Sequence, residues 1–168
     1  MSSATDSVTV TTLVAVDPAT AFLVFTEEVN SWWGLGPRYR HDGERPSTMC
    51  FEPRVGGRFL EIYDESGATL EVGRMLVWEP AERILWQSRE DGRPADQQTE
   101  VEVRFEPVEQ GTRVTVEHRG WDRVPREDPA RHGLDGSAFA NMLGTWWADL
   151  LVAHRAHAEG HHAAVSLH

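Results

Sequence analysis

The chain has 168 residues, of which 40% are hydrophobic and 26% charged, so it is large enough to bury the core of an ordinary globular protein. We expect one domain over residues 8–157, with a flexible segment at residues 1–7 and a disordered, histidine-containing tail at residues 158–168. The net charge of −11 excludes nucleic acid and anionic membrane surfaces as favoured partners, because like charges repel.

The cysteine content and hydropathy of the sequence indicate the cellular compartment. Cys50 is the single cysteine, which excludes an intramolecular disulfide and fits a reducing compartment. The first residues lack the basic and apolar regions of a signal peptide, and no apolar run approaches the roughly 20 residues that a membrane span needs. We therefore expect a cytoplasmic protein without membrane insertion.

The first regular elements are a strand and two short helices. Alternating β-branched residues predict a strand over Val8–Val16. Asp17 followed by Pro18 forms an N-cap with proline at the first helical position, which predicts a short helix over Ala19–Phe25. A second helical piece is expected over Glu27–Trp33. The side chains expected to face the core from the first helix are Ala21, Phe22 and Phe25.

Six further strands follow, separated by glycine- and proline-containing turns. They are predicted at Thr48–Arg54, Arg58–Asp64, Thr69–Glu79, Arg83–Arg89, Gln98–Pro107 and Thr112–Trp121. The last two form the clearest hairpin, because apolar residues alternate with charged ones on the first strand, and Val114, Val116 and His118 face the same way on the second. On this pattern the inward residues are Val101, Val103, Phe105, Val114, Val116 and His118.

A long amphipathic helix ends the predicted fold. The polar stretch Asp122–Asp135 is expected to be a surface loop, and the helix is expected from Ser137 to about Glu159. Its apolar stripe needs a partner, and the sheet is the one surface large enough. A single helix cannot fill the concave face of a strongly twisted sheet, which predicts a cavity between them. The stripe comprises Phe139, Met142, Leu143, Trp146, Leu150 and Ala153, widened by Trp147 and Leu151.

Several pieces of this sequence occur in the order seen in one superfamily. They are Trp32–Trp33, RVGGRF at 54–59, GRMLVWEPAERILW at 73–86, the hairpin from Phe105 to Thr115, His118, and the helix residues Gly144, Trp147 and Leu151. Over residues 8–156 the chain resembles the START-like (SRPBCC) superfamily of helix-grip domains, and within it the family of the activator of heat-shock-protein-ninety ATPase homologues. The resemblance implies an α+β fold: a strongly curved antiparallel sheet with two short helices and a long C-terminal helix over an internal cavity. Members of the superfamily bind lipids, hormones and polyketides, and a few catalyse cyclisation or aromatisation.

The leading hypothesis for function is binding or sequestration of a small hydrophobic molecule, aromatic, polyketide-like or lipid-like, in the internal pocket. The excess of aromatic side chains on both cavity-forming elements motivates it, although tryptophan serves equally well in a packed core. The predicted walls are Trp32, Trp33, Phe51, Phe59, Tyr63, Trp86, Val103, Phe105, His118, Met142 and Trp146. Tyr63 and His118 would orient the ligand.

The alternative is a cyclase-, aromatase- or hydrolase-like enzyme. His118 would act with Tyr63 or Glu61 as acid and base, if those side chains converge in an open cavity. His118 could equally be a satisfied core residue, and Glu61 could lie solvated on the convex face. No nucleophile elbow, phosphate loop or metal-ligand pair lies on the turns, and we expect no cofactor.

The remaining candidates concern metals and protein partners. His154, His157 and His161 recur along one face of the long helix, but no carboxylate completes a site, so a solvated histidine-rich tail is expected instead of a metal. A chaperone-interacting module is a further alternative, which an exposed apolar patch on the convex face or around Trp121 would favour. The chain could be a monomer or a homodimer.

Overall fold

A computed structural model describes residues 7–34, 39–40, 43–89, 94–125, 127–134 and 136–166, with the backbone alone considered for residues 161–166. It contains seven strands and three α-helices in the predicted order. They are β1 (Ser7–Val14), α1 (Pro18–Thr26), α2 (Val29–Trp32), β2 (Ser47–Phe51), β3 (Arg58–Tyr63), β4 (Thr69–Glu79), β5 (Arg83–Ser88), β6 (Glu100–Val108), β7 (Gly111–Arg119) and α3 (Gly136–Ser166).

All seven strands form one curled antiparallel sheet in the order β1-β7-β6-β5-β4-β3-β2. The helix α3 packs along β1 and contacts both short helices. The predicted α+β architecture, with two short helices and a long C-terminal helix against a curved sheet, is therefore confirmed. Within the described part of the chain, no helix is long and apolar enough to cross a membrane.

The ends of the chain differ from the predicted boundaries. Residues 1–6 of the predicted flexible segment lie outside the described residues, and Ser7 already belongs to β1. The helix α3 continues to Ser166, beyond the predicted end near Glu159, while residues 167 and 168 lie outside the described residues.

Local sequence rules explain how α1 and the last hairpin form. The Asp17 carboxylate accepts a hydrogen bond from the Thr20 amide at 3.1 Å, and Pro18 occupies the first turn, as the sequence predicts. On β6 and β7, the residues predicted to face inward do lie on the buried face of the sheet. The cross-strand pairs on that face are Val101 with His118, Val103 with Val116, and Phe105 with Val114, and all six side chains are buried.

A β-bulge in β4 changes which residues face inward. Met75 pairs with Trp86, but Val77 pairs with Leu85, so Leu76 is an extra residue in the strand. Beyond the bulge, Trp78 pairs with Ile84, which lies on the same face of β5 as Trp86. Met75 and Trp78 therefore both lie on the concave face, although strict alternation would place them on opposite faces.

Gly73 is required by the close approach of Trp86. A Cβ atom at position 73 would lie 2.4 Å from Cδ1 of the Trp86 indole, far inside van der Waals contact. The glycine therefore gives the large ring room to lie across β4. This contact explains why the chain carries a glycine inside a strand.

The outer edge of β2 is covered by polar side chains. The Met49 amide donates to Asn30 Oδ1 at 2.9 Å, and Arg40 Nη1 donates to the Ser47 carbonyl at 2.9 Å. Arg40 is 3% exposed and also donates to the carbonyls of Trp33 and Gly34. These bonds satisfy edge groups that would otherwise be open to another strand.

Burial lowers the pKa of Arg40, and the nearby carboxylates of Glu61 and Asp64 act in the opposite direction. From the sequence, Arg40 is expected only to lie in a polar loop. Its role in holding α2 to the edge of the sheet could not be predicted from that pattern.

The stretch 122–135 is less exposed than the sequence predicts. Arg131 Nε donates to the Val124 carbonyl at 3.1 Å, its Nη2 donates to the Trp121 carbonyl, and its guanidinium lies over the Phe139 ring. Val124 and Arg131 are both buried, since the arginine satisfies the backbone of the loop from inside. The prediction of a wholly surface loop is wrong at these positions.

Two histidines of α3 dock this helix on the short helices. His154 is fully buried between the rings of Phe25 and Trp32, and its Nε2 donates to the Ala21 carbonyl at 3.0 Å. One turn later, His157 Nε2 lies 2.8 Å from Glu28 Oε1. Burial lowers the pKa of His154 to about 4; the hydrogen bond to Ala21 opposes this shift, and the neighbouring His157 adds to it.

We predict that Gly73→Ala destabilises the protein by about 2 kcal/mol, because the added methyl group must displace the Trp86 ring in a packed core. Gly160→Ala is the matched control, since nothing lies within 4 Å of a Cβ at that helical position. Alanine favours helix, so the control should gain about 0.5–1 kcal/mol. Urea unfolding monitored by circular dichroism measures both changes. Equal stability of the Gly73→Ala variant and the wild type would contradict the proposed contact.

We also predict that stability falls as the pH is lowered from about 6.5 to about 4, the window between the unfolded and folded pKa values of His154. In this window the imidazole of residue 154 is protonated in the unfolded chain but neutral in the folded protein. The free energy of unfolding therefore decreases by about 3 kcal/mol in total. His154→Gln keeps a donor for the Ala21 carbonyl and does not titrate, so its free energy of unfolding should vary less with pH. The contact between His157 and Glu28 is retained in the variant, so the comparison reports on the change at position 154. Identical pH dependence of the two proteins would refute the assignment.

Candidate functional site

The predicted pocket walls from the sheet and short helices pack against one another. Phe51 stacks on Phe59 with ring centroids 4.1 Å apart, and Phe59 meets the edges of Trp33 and Trp86 at 5.3 Å each. Trp32 contacts Trp33 at 5.6 Å. Each of these rings is at most 7% exposed, and Val103 and Phe105 are buried on the same concave face. These residues form a continuous aromatic core.

The long helix inserts Trp147 into this core. Trp147 is 1% exposed, and its ring lies 5.9 Å from Trp33 and 6.5 Å from Trp86. The predicted wall residues Trp146 and Met142 are partly buried and pack against the outside of the core. Trp146 lies between the edge of Trp33 and the stacked ring of Tyr39. Adjacent helical residues point about 100° apart, so one tryptophan of the pair is central and the other peripheral.

Both ring nitrogens of His118 make hydrogen bonds inside the core. Trp147 Nε1 donates to His118 Nδ1 at 3.0 Å. Because an indole nitrogen is only a donor, Nδ1 must accept, and the ring proton therefore resides on Nε2, which faces Thr99 Oγ1 at 2.9 Å. The pattern makes His118 a neutral link between β7 and α3.

The structure does not bring Glu61 and Tyr63 together with His118. Both lie on β3, and three strands separate β3 from β7. Four strand spacings correspond to roughly 19 Å along the sheet. Glu61 is buried near Arg40, and the Tyr63 ring lies under the Arg45 guanidinium at 4.0 Å. The three proposed acid and base groups thus belong to separate environments.

The histidines of α3 do not converge on a common point either. His154 and His157 bind different partners on α1 and before α2, and the side chain of His161 lies outside the described residues. No group of three potential metal ligands occurs in the portion of the chain that the structure describes.

A separate apolar cleft of about 320 Å³ opens between α1 and the corner that joins β4 to β5. Phe22 and Trp78 both line it and meet edge to face with ring centroids 5.6 Å apart, and the Phe51 ring lies 6.2 Å from that of Trp78. Phe51 belongs to the predicted pocket walls, and it connects the cleft to the aromatic core. The lining residues are Ala19, Phe22, Leu23, Thr26, Glu27, Phe51, Pro53, Trp78, Pro80 and Ala81.

The corner of the cleft is a strained turn. Ala81 has a positive φ of 65°, a conformation that costs a non-glycine residue about 1 kcal/mol. Pro80 and Ala81 also line a wider open groove of about 610 Å³, which includes the predicted wall residue Phe105. The turn therefore separates two adjoining concave surfaces.

Sequence reasoning missed most of this cleft. Phe22 was expected in the core, and Trp78 could not be assigned to the concave face without the bulge at Leu76. The sequence itself shows only an apolar residue, Leu23, on the predicted helix and the prolines Pro18, Pro53 and Pro80, which the structure brings to the two adjoining concave surfaces.

Comparisons with known proteins agree with this fold. The family model described as "Activator of Hsp90 ATPase homolog 1-like protein" matches residues 15–145. No curated protein matches the chain. Among solved structures, the Aha1 dimer from Colwellia psychrerythraea is 17% identical with a TM-score of 0.61, over 91% of this chain and 96% of that one.

Two further structures extend the likeness. Protein NE0264 from Nitrosomonas europaea is 18% identical with a TM-score of 0.63, over 96% of this chain and 99% of that one. Protein SA2116 of unknown function from Staphylococcus aureus is 12% identical with a TM-score of 0.66, over 94% and 95%. At identities this low, the structural similarity shows the shared fold alone. The family model, by contrast, covers most of the chain. The chain therefore belongs to the family of activator of Hsp90 ATPase homolog 1-like proteins.

Proposed function

We propose that this protein binds a small hydrophobic molecule, preferably one with an aromatic ring, in the cleft between α1 and the β4–β5 corner. The observation that carries the proposal is an open cleft of about 320 Å³ lined by three aromatic side chains. Small-molecule sites typically occupy about 300–1,000 Å³ and are mostly apolar with few polar groups. Here the polar side chains in the lining are those of Thr26 and Glu27.

The proposal keeps the ligand class expected from the sequence and places its site at one end of the sheet. The predicted walls beneath α3 contact one another, whereas Phe22, Phe51 and Trp78 share the open cleft. A ring inserted there would contact Phe51, which stacks on Phe59. Ligand binding would therefore change the environment of the aromatic core through Phe51.

The geometry gives less support to catalysis by His118. Its two nitrogens are engaged by Thr99 and Trp147, and Glu61 and Tyr63 lie on a distant strand. A general base needs a free lone pair within reach of its substrate. Nor does Trp121 offer the exposed patch that a chaperone-binding surface would need there, since it is 5% exposed.

We predict that 2-naphthylmethanol, a neutral aromatic probe, shifts the indole N–H resonance of Trp78 in ¹H–¹⁵N spectra. Trp78→Phe identifies this resonance by its disappearance. Leu23→Gln should weaken binding by about tenfold, because it replaces an apolar surface of the cleft with a polar group.

Val152→Gln is the matched control. Val152 is 65% exposed on α3 and lies outside the cleft lining, so affinity should stay unchanged. Both substituted positions are exposed, and both variants should fold. A titration in which the Trp78 resonance does not move, or in which both glutamine variants bind equally well, would refute the proposal.

A further inference from the structure

An acidic side chain stands at the mouth of the apolar cleft. The helix α1 ends at Thr26, and Glu27 is its C-cap, with the Glu27 amide donating to the Leu23 carbonyl at 2.8 Å. The Glu27 side chain is exposed and lines the cleft beside Thr26. The backbone bond thus fixes the position from which this exposed carboxylate extends beside an otherwise apolar surface.

The position of Glu27 is electrostatically unfavourable for the helix. The C-terminal end of a helix carries partial negative charge and is stabilised by basic residues, but the last turn of α1 has none. The next residue, Glu28, is also acidic, and it is offset by His157 at 2.8 Å. Within the described residues, no hydrogen bond or ion pair to the Glu27 carboxylate is found. An acidic residue at a helix C-terminus thus departs from the usual preference for basic residues there, and no contact among the described residues compensates for it. Such departures are common at functional sites.

Thr26 is the other polar residue that lines the cleft. The Thr26 hydroxyl donates to the Phe22 carbonyl at 2.8 Å, so its remaining capacity is that of an acceptor. The Thr26 hydroxyl is buried in this bond, so the exposed polar side chain of the lining is that of Glu27.

The adjoining groove adds negative charge. Glu79, Glu82 and Glu106 line it together with Arg83 and Arg104. Arg83 and Arg104 form ion pairs with Glu102 at 2.7 Å and 2.6 Å, and Glu102 lies outside the groove lining. Arg83 also pairs with Glu79 of the lining at 3.3 Å, so the three glutamates and two arginines leave one net negative charge on the groove. With a net charge of −11 on the whole chain, the field around the cleft favours cations.

We propose that the cleft selects a cationic amphiphile, a molecule with an apolar or aromatic body and an ammonium or guanidinium group. The body would lie against Phe22, Phe51 and Trp78, and the cation would pair with Glu27 at the negative end of α1. The indole of Trp78 adds attraction, because a cation over an aromatic face is stabilised by the ring. This inference rests on the proposed function and specifies its ligand class.

Three probes with one ring and different charges test the inference. 2-Naphthylmethylammonium, 2-naphthylmethanol and 2-naphthoate are titrated near neutral pH at low ionic strength, with the Trp78 indole resonance as the readout. In the wild type, the ammonium probe should bind about tenfold more tightly than the alcohol, and the carboxylate most weakly. Raising NaCl from about 0.02 M to about 0.5 M should reduce this preference, since salt screens an exposed ion pair.

Glu27→Gln should reduce the preference for the ammonium probe over the alcohol to about twofold or less. Glu65→Gln is the control for net charge, because Glu65 is exposed on the turn after β3 and does not line the cleft. It should keep the full preference.

Equal affinities for the ammonium and alcohol probes in the wild type would overturn the inference. A preference that survives in Glu27→Gln would also overturn it. In both cases the alcohol still shifts Trp78, and the proposed function stands. If no probe shifts Trp78, the proposed function itself fails.

Discussion

The contact of Trp147 with the concave sheet is the interaction on which the rest of the structure depends. Its indole nitrogen donates to His118 on β7, while its ring meets Trp33 after α2 and Trp86 on β5. One side chain thus joins the long helix, the short helices and the middle of the sheet. A buried hydrogen bond of this kind fixes the rotation of α3, because leaving either polar group unpaired in the core would cost about 1–3 kcal/mol.

Among the described residues, large aromatic rings pack against one another beneath α3. The aromatic core occupies the concave face from Phe59 to His118, and the described cleft appears at the end of the sheet, where α1 diverges from the β4–β5 corner. The strained turn at Ala81 and the bulge at Leu76 shape this end. Both are local irregularities in the sheet, which is where many proteins place binding surfaces.

The chemistry of the cleft combines an apolar wall with an acidic edge. Aromatic rings supply a large apolar contact area, and one carboxylate at the end of α1 can discriminate between ligands by charge. His118, the most conspicuous polar residue on the concave face, is instead used to hold the helix. The polar group suited to a ligand is therefore Glu27 on a helix end, and the polar group buried in the core has a structural role.

Sequence periodicity was sufficient for the order of elements, the α1 cap at Asp17 and the inner faces of β6 and β7, because each depends on neighbours within a few residues or on a strict period of two. The apolar stripe of α3 and the number of strands predicted a curved sheet covered by this helix, and the family resemblance implied the same architecture. Tertiary structure alone decided that Trp78 faces inward, that Trp147 is the central ring, and that Arg40 seals the edge of β2. It also decided which side chains meet His118 and which line the cleft. A single extra residue in β4 reverses the alternation beyond it, and the partners of Trp147 and Arg40 come from separate elements, so no local pattern contains them.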